Sequence, residues 1–284
     1  MQDRTGIASD AVTEARTRVE GEGGVGAIVF DAARLPQASA GLFSPEHLAD
    51  RARPVVAGGR GAAWFVDLDG VQGVLRHYRR GGMAARVSRD RYLWRGEGRV
   101  RSITEFRLLA WLRVQGMPVP APLAAIYRRR GLTYGAALIV SRIADAHSLA
   151  QRLGEGAPPP WAHIGATIAR LHRLGVDHAD LNAHNILLDP DDHAWLIDFD
   201  RGSREGSGGF GERNLQRLHR SLRKLAPGSP GVEVGFANLR EGYLAELGKD
   251  AGRTGRCASW AWAMHRRSNS ARPARSWNRA VRHC

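Results

Sequence analysis

The stretch His178-Ala-Asp-Leu-Asn-Ala-His-Asn-Ile-Leu-Leu-Asp189, followed closely by Trp195-Leu-Ile-Asp-Phe-Asp200, decides how the rest of the chain is read. Asp180 sits five positions before Asn185, and Asp198 lies thirteen after Asn185 at the end of a short apolar run. In a phosphotransferase loop of the H-x-D-x-x-x-x-N type, the Asp orients an acceptor hydroxyl and takes its proton, while the Asn and a later D-F-x Asp hold metal ions. Mg2+ prefers hard oxygen ligands and shares its shell with phosphate oxygens, so an amide plus a carboxylate suffices. Asn and Asp also favour turns for local hydrogen-bonding reasons, which gives each element alone a plain structural use. The combination is far more restrictive: two spacings, a strand over 186–188, a turn over 189–192, and a second strand over 194–197 that delivers Asp198. It points to a phosphotransferase with Asp180 as the catalytic residue and Asn185 and Asp198 as the metal ligands.

Upstream of this loop, residues 161–174 form a strongly amphipathic helix, with Ile164, Ile168 and Leu171 on one stripe and Gly175 ending it. His163 and His172 stand nine apart on it, a poor spacing for a metal pair, and read as surface or capping residues. Residues 136–140 read as a buried strand, 141–145 as a hinge where adenine would bond the backbone, and 154–160 as a linker. Further back, Ser102 opens a helix running to about Gln115. Ser102 and Glu105 have the spacing of a capping box, which competes with a second use of Glu105: pairing with a phosphate-binding cation. That cation is Arg76, on a strand over 71–78 where a kinase-like N-lobe presents a lysine; arginine clamps phosphate in a planar, two-pronged geometry.

Gly58, Gly59 and Gly61 lie between two short apolar runs, and such a turn lets backbone amides approach nucleotide phosphates. An ordinary hairpin turn has the same appearance. No G-x-x-x-x-G-K-[ST] sequence occurs, which argues against a P-loop NTPase. Nearer the N-terminus, 27–30 suggests a first short strand, and Ser44 with Pro45 marks a short helix. The basic, Gly-rich segment 79–101 looks too polar for a core element and suits an acceptor-binding flap. Past Asp198 come a Gly and Ser rich loop over 201–211, a basic helix over 214–225, and a last amphipathic helix over 235–247.

Length and charge bound the rest. At 284 residues with 43% apolar content the chain can fill a real core. The 42 Lys plus Arg against 28 Asp plus Glu give +14, so anionic partners are favoured. From Lys249 to Cys284 nine basic residues face one acid, Asp250, which puts +8 of that charge in the tail. Both cysteines, Cys257 and Cys284, also lie there, so the body uses neither disulfides nor thiolate metal sites and suits a reducing compartment. No secretory signal and no apolar run of membrane-spanning length is present, which leads us to expect a cytoplasmic protein able to rest on a membrane.

The catalytic-loop segments, together with Leu75-Arg-His-Tyr-Arg-Arg-Gly-Gly82, closely resemble the 3-deoxy-D-manno-octulosonic acid (Kdo) kinase family of Gram-negative bacteria, over roughly residues 26–247. The resemblance implies an α+β, protein-kinase-like two-lobe fold: an N-lobe over 27–140, mainly β with one helix, and a larger, mainly α C-lobe over 141–248. Residues 1–26 would be a mobile extension and 249–284 a basic, disordered or atypical tail without a counterpart in the family. It further implies ATP and Mg2+ as cofactors and phosphorylation of the 4-hydroxyl of Kdo on the lipid A precursor, at the cytoplasmic face of the inner membrane. Asp180 would then be the base, Asn185 and Asp198 the magnesium ligands, and Arg76 with Glu105 the phosphate-positioning pair, with the glycine turn over the nucleotide. The 79–101 segment would hold the acceptor's carboxylate and lipid phosphates. Ala179 stands where protein kinases carry an Arg, Asp200 replaces the Gly of D-F-G, and no A-P-E follows, which argues against loop phosphorylation and a peptide substrate. Neither nucleic acid nor an obligate protein partner is expected. Competing readings are a kinase for another small molecule such as an aminoglycoside, a catalytically silent nucleotide-binding scaffold, and a nucleic-acid binder acting through the tail.

Overall fold

The computed structural model describes residues 11–21, 23–55, 63–78, 91–204 and 209–249. The expected glycine turn at Gly58, Gly59 and Gly61, the larger part of the 79–101 segment and the tail after Lys249 lie outside the described residues.

Alternating apolar residues build the first half as a sheet. In chain order come β1 (Glu14–Val19), β2 (Val25–Asp31), α1 (Pro45–Leu48), β3 (Ala52–Pro54), β4 (Ala63–Leu68), β5 (Val71–His77), β6 (Tyr92–Leu93), α2 (Arg101–Val114), β7 (Pro122–Arg130) and β8 (Thr133–Ser141). The antiparallel strands lie in the order β1-β2-β7-β8-β5-β4-β3, with β6 also on β8. Period-two alternation sends neighbours to opposite faces. Val29 and Leu138 pack on Phe106 and Leu109 of α2, whereas Ile28, Leu75 and Ile139 pack on the other face with Phe43 and Leu48. Ser44 caps α1 by accepting from His47 N at 3.2 Å, as the sequence indicates.

Two expectations for this half need correction. The stretch expected to be a mobile extension contains β1, paired with β2 from Glu14↔Asp31 to Val19↔Gly26. Its polar composition suits an edge strand, and its charges are matched from afar by Arg16–Glu97 and Arg107–Glu14 ion pairs. The described end of the 79–101 segment is also not merely polar: Tyr92 and Val100 are buried, and Trp94 packs 5.3 Å from the Tyr127 ring.

The second half is mainly helical: β9 (His147–Ser148), α3 (Leu149–Gly154), α4 (Trp161–Arg173), β10 (Val176–Asp177), β11 (Ile186–Leu188), β12 (Ala194–Leu196), β13 (Ser203–Arg204), α5 (Phe210–Leu225) and α6 (Pro230–Gly248). The α2 face of the sheet and these helices share one core, which runs through Leu112, Ile168, Leu218 and Leu239. Helix α4 ends at Gly175, which takes φ +71°. It crosses α6 at two glycines: a Cβ on Gly165 would stand 1.9 Å from Leu239 O, and one on Gly242 would stand 2.2 Å from Ala162 O. Because both obstacles are backbone, Gly165→Ala should cost about 1–3 kcal/mol or more through overpacking. A lower urea midpoint at unchanged slope is the expected reading.

Candidate active site

The loop between β10 and β11 is fixed from both ends. At its start Asn214 of α5 accepts from His178 N at 3.0 Å and from His172 Nε2 at 3.1 Å, and donates to Asp177 Oδ1 at 2.8 Å. His178 is buried, packs with its ring tilted 48° and 4.6 Å from the Phe199 ring, and bonds Ile197 O at 2.9 Å, which joins the loop to the segment carrying Asp198. At its end Asn185 Nδ2 and Asn182 Nδ2 donate to the carbonyl of Asp180 at 2.9 and 2.8 Å. The β11–β12 hairpin pairs Ile186 with Leu196, and Ile197 N donates to Asn185 O at 3.1 Å. Asn185 and Asp198 are thereby carried on neighbouring strand ends.

Glu105 is where the sheet meets this loop. It is 2% exposed, and three donors converge on its carboxylate: Arg76 Nη2 at 2.7 Å, the Tyr78 hydroxyl, and Phe199 N at 3.0 Å. The same guanidinium reaches Asp198 Oδ1 through Nη1 at 2.5 Å. Burial raises the Glu105 carboxyl above its ordinary value, with the Arg76 charge opposing it. Burial works against the Asp198 carboxylate as well, yet the Arg76 charge and its hydrogen bond hold it below the usual range. Asp198 adopts φ +66°, an uncommon backbone for a residue other than glycine. The alternative use of Glu105 in a capping box does not occur. Val100 is the residue before α2, and the Ser102 hydroxyl donates to Ile126 O at 2.9 Å.

Magnesium fits these donors. Asn185 commits its amide nitrogen to Asp180, which leaves the amide oxygen as a hard ligand, and Asp198 adds a carboxylate that stays ionised. No cluster of three or more His, Cys, Asp or Glu that could hold a metal occurs among the described residues. A site with so few protein ligands suits a cation that shares its shell with phosphate and water.

The structure brings Arg76, Glu105 and Asp198 into direct contact and ties Asn185 to Asp180. Sequence reasoning missed the partner of Asp180 itself. Arg217 of α5 donates to Asp180 Oδ1 from Nε at 3.0 Å and from Nη2 at 2.6 Å. The signal was present as Arg213, Arg217 and Arg220 at helical spacing. Tyr78 and Asn214 gave no local signal.

His172 corrects an expectation. It is neither surface nor cap, for it bonds Tyr243 through Nδ1 at 2.9 Å and Asn214 through Nε2. Burial lowers its pKa from 6.5 to about 4. Between those values the unfolded chain takes up a proton that the folded chain refuses, so stability rises with pH across the window. The contribution is complete above pH 6.5 and is lost as pH falls toward 4. Urea midpoints should drop less between pH 7 and 4.5 for His172→Gln than for the wild type.

Known proteins similar to this chain are lipopolysaccharide kinases. The family model described as "Lipopolysaccharide kinase (Kdo/WaaP) family" matches residues 46–243. A 3-deoxy-D-manno-octulosonic acid kinase of Xanthomonas campestris pv. campestris (strain B100) is 60% identical over 223 residues, covering 77% of this chain and 88% of the relative. The enzyme of that name from Xanthomonas axonopodis pv. citri (strain 306) is 55% identical over 249 residues, 86% of this chain and 99% of the relative. That of Stenotrophomonas maltophilia (strain K279a) is 54% identical over 241 residues, 83% and 95%.

Proposed function

The chain belongs to the lipopolysaccharide kinase (Kdo/WaaP) family and is a kinase, and from that premise we propose that it transfers the γ-phosphate of ATP to the 4-hydroxyl of Kdo in the Kdo-lipid A precursor. The observation that carries the reading is the Arg76 guanidinium held between Glu105 and Asp198, with Asn185 bonded to the backbone of Asp180. The β-rich half would act as the N-lobe and the helical half as the C-lobe of a protein-kinase-like fold, with 141–145 as the hinge.

Asp180 is the base in this account. Its side chain is 43% exposed and so open to an acceptor, while Arg217 holds one of its two oxygens in place. Asp180 takes the proton of the sugar hydroxyl as that oxygen bonds to the γ-phosphorus and the bond from phosphorus to the β,γ-bridging oxygen breaks, releasing ADP. Arg76, oriented by Glu105, faces the phosphates, and the glycine turn at 58–61 would cover them. Asn185 and Asp198 would hold Mg2+, whose chemistry is to neutralise phosphate charge and align the donor. Little covalent work falls to the protein, so positioning and charge dominate.

No helix among the described residues is long and apolar enough to cross a membrane. With the net charge of +14, this suits a peripheral enzyme that meets its lipid acceptor at the anionic cytoplasmic face of the inner membrane. The test is transfer of labelled γ-phosphate from ATP to Kdo-bearing lipid, beside free sugars and aminoglycosides. Label on the Kdo lipid alone, lost with EDTA and restored by Mg2+, is the expected result. Label on another acceptor, or transfer indifferent to EDTA, would overturn the substrate or the metal assignment respectively.

A further inference from the structure

Helix α5 presents Arg213, Arg217 and Arg220 at i, i+4 and i+7, a single stripe facing the catalytic loop. Arg213 Nη2 donates to Asp177 Oδ2 at 3.1 Å, and Arg217 grips Asp180. Arg220 forms no ion pair among the described residues. Between helix and loop lies a cavity of about 260 Å³, lined by Ala179, Arg213, Gln216, Arg217 and Arg220 with Asp177 in its wall. A solvated basic helix face would have the same composition, but the placement here is more specific. Three arginines meet two carboxylates, and Asp177 is 6% exposed and already shared with Asn214, so positive charge remains beside the reacting hydroxyl. Ala179 adds only a methyl group to the lining of the cavity.

We propose that this stripe is the subsite for the carboxylate of the acceptor sugar. The proposal rests on the Kdo reading given above and moves the carboxylate contact from the 79–101 segment to α5. Both Arg217 contacts fall on Oδ1 of Asp180, which leaves Oδ2 to receive the hydroxyl proton. In Kdo the carboxyl carbon is four bonds from the 4-oxygen, so the two groups lie within roughly 5 Å at about 1.5 Å per bond. A 4-hydroxyl on Asp180 therefore brings the carboxylate to the arginines, whose planar fork matches it. At about 260 Å³ the cavity lies below the usual range for drug-sized ligands, which suits a small polar group and not a lipid chain. Neutral sugars would leave the arginines unpaired and aminoglycosides would be repelled, so the subsite discriminates as well as binds.

Arg217 also positions Asp180, so Arg220→Ala is the informative variant. Steady-state transfer is measured with Kdo-bearing lipid whose carboxyl is free or methyl-esterified. The wild type should prefer the free acid, and Arg220→Ala should raise the acceptor KM for the acid about tenfold or more. KM for the ester, KM for ATP and the thermal midpoint should stay unchanged. Equal use of acid and ester by the wild type, or equal losses on both in Arg220→Ala, would overturn the subsite while leaving Kdo phosphorylation standing. Absence of transfer by the wild type to either lipid would overturn the underlying reading and the subsite with it.

Discussion

Asp180→Asn lowers kcat by about 10²–10⁴-fold, the usual contribution of a general base, while the KM for ATP and the urea midpoint move little. The amide keeps the size of the side chain and can still accept a hydrogen bond from Arg217, but it cannot take a proton. Little stability is at stake, because the Asp180–Arg217 pair is nearly half exposed on both sides and such pairs contribute about 0–1 kcal/mol. Steady-state kinetics beside a urea titration separates the two effects. Intact turnover in a folded Asp180→Asn protein would remove this carboxylate from the role of base.

The largest effect on stability is expected at Glu105. Glu105→Ala removes the acceptor for Arg76 Nη2, for the Tyr78 hydroxyl and for Phe199 N in one step. Breaking a buried ion pair from one side typically costs about 3–5 kcal/mol, since the partner charge stays behind in a poor environment. Arg76 keeps Asp198, so the loss should fall inside that range and not above it. The variant also releases the backbone beside Asp198, so affinity for the magnesium nucleotide should weaken together with stability. Glu105→Gln, which can still accept from Phe199 N, should lose less of both. Urea unfolding in parallel with KM for ATP provides the check. A cost below about 1 kcal/mol for Glu105→Ala would show that the cluster is not formed in solution.

The parts of the site legible in sequence are those encoded locally. The 189–192 turn and the hairpin that delivers Asp198 depend on residues within about one supersecondary unit, and the structure has both where the sequence places them. Arg76 was legible because strand β5 is bounded by the Asp69-Gly70 turn, where both residues take positive φ. What escaped depends on contacts far apart in sequence. Ser102 and Glu105 match a local capping pattern as well as the pairing of Glu105 with Arg76; the pairing forms, while Ser102 turns to β7 and Glu105 also accepts from Phe199 N, partners that only the sheet packing brings near. His172 looks like one more basic residue at a helix end until α5 and α6 close over it. β1 carries two arginines and a glutamate; Arg18 is matched locally by Glu20, whereas Arg16 and Glu14 are matched only by the docking of Glu97 and Arg107 at the sheet edge. Arg217 stands with Arg213 and Arg220 at helical spacing, but its partner Asp180 lies 37 positions away, so the stripe alone does not name the contact.

Phosphorylation of Kdo at the 4-hydroxyl is decided by locating the transferred phosphate by NMR on the purified lipid product. The expected product shows a phosphorus resonance coupled to the proton on carbon 4 of Kdo, formed only with ATP and Mg2+ present and formed about 10²–10⁴-fold more slowly by Asp180→Asn. Phosphate attached to any other hydroxyl, or a product formed equally well by Asp180→Asn, would contradict it.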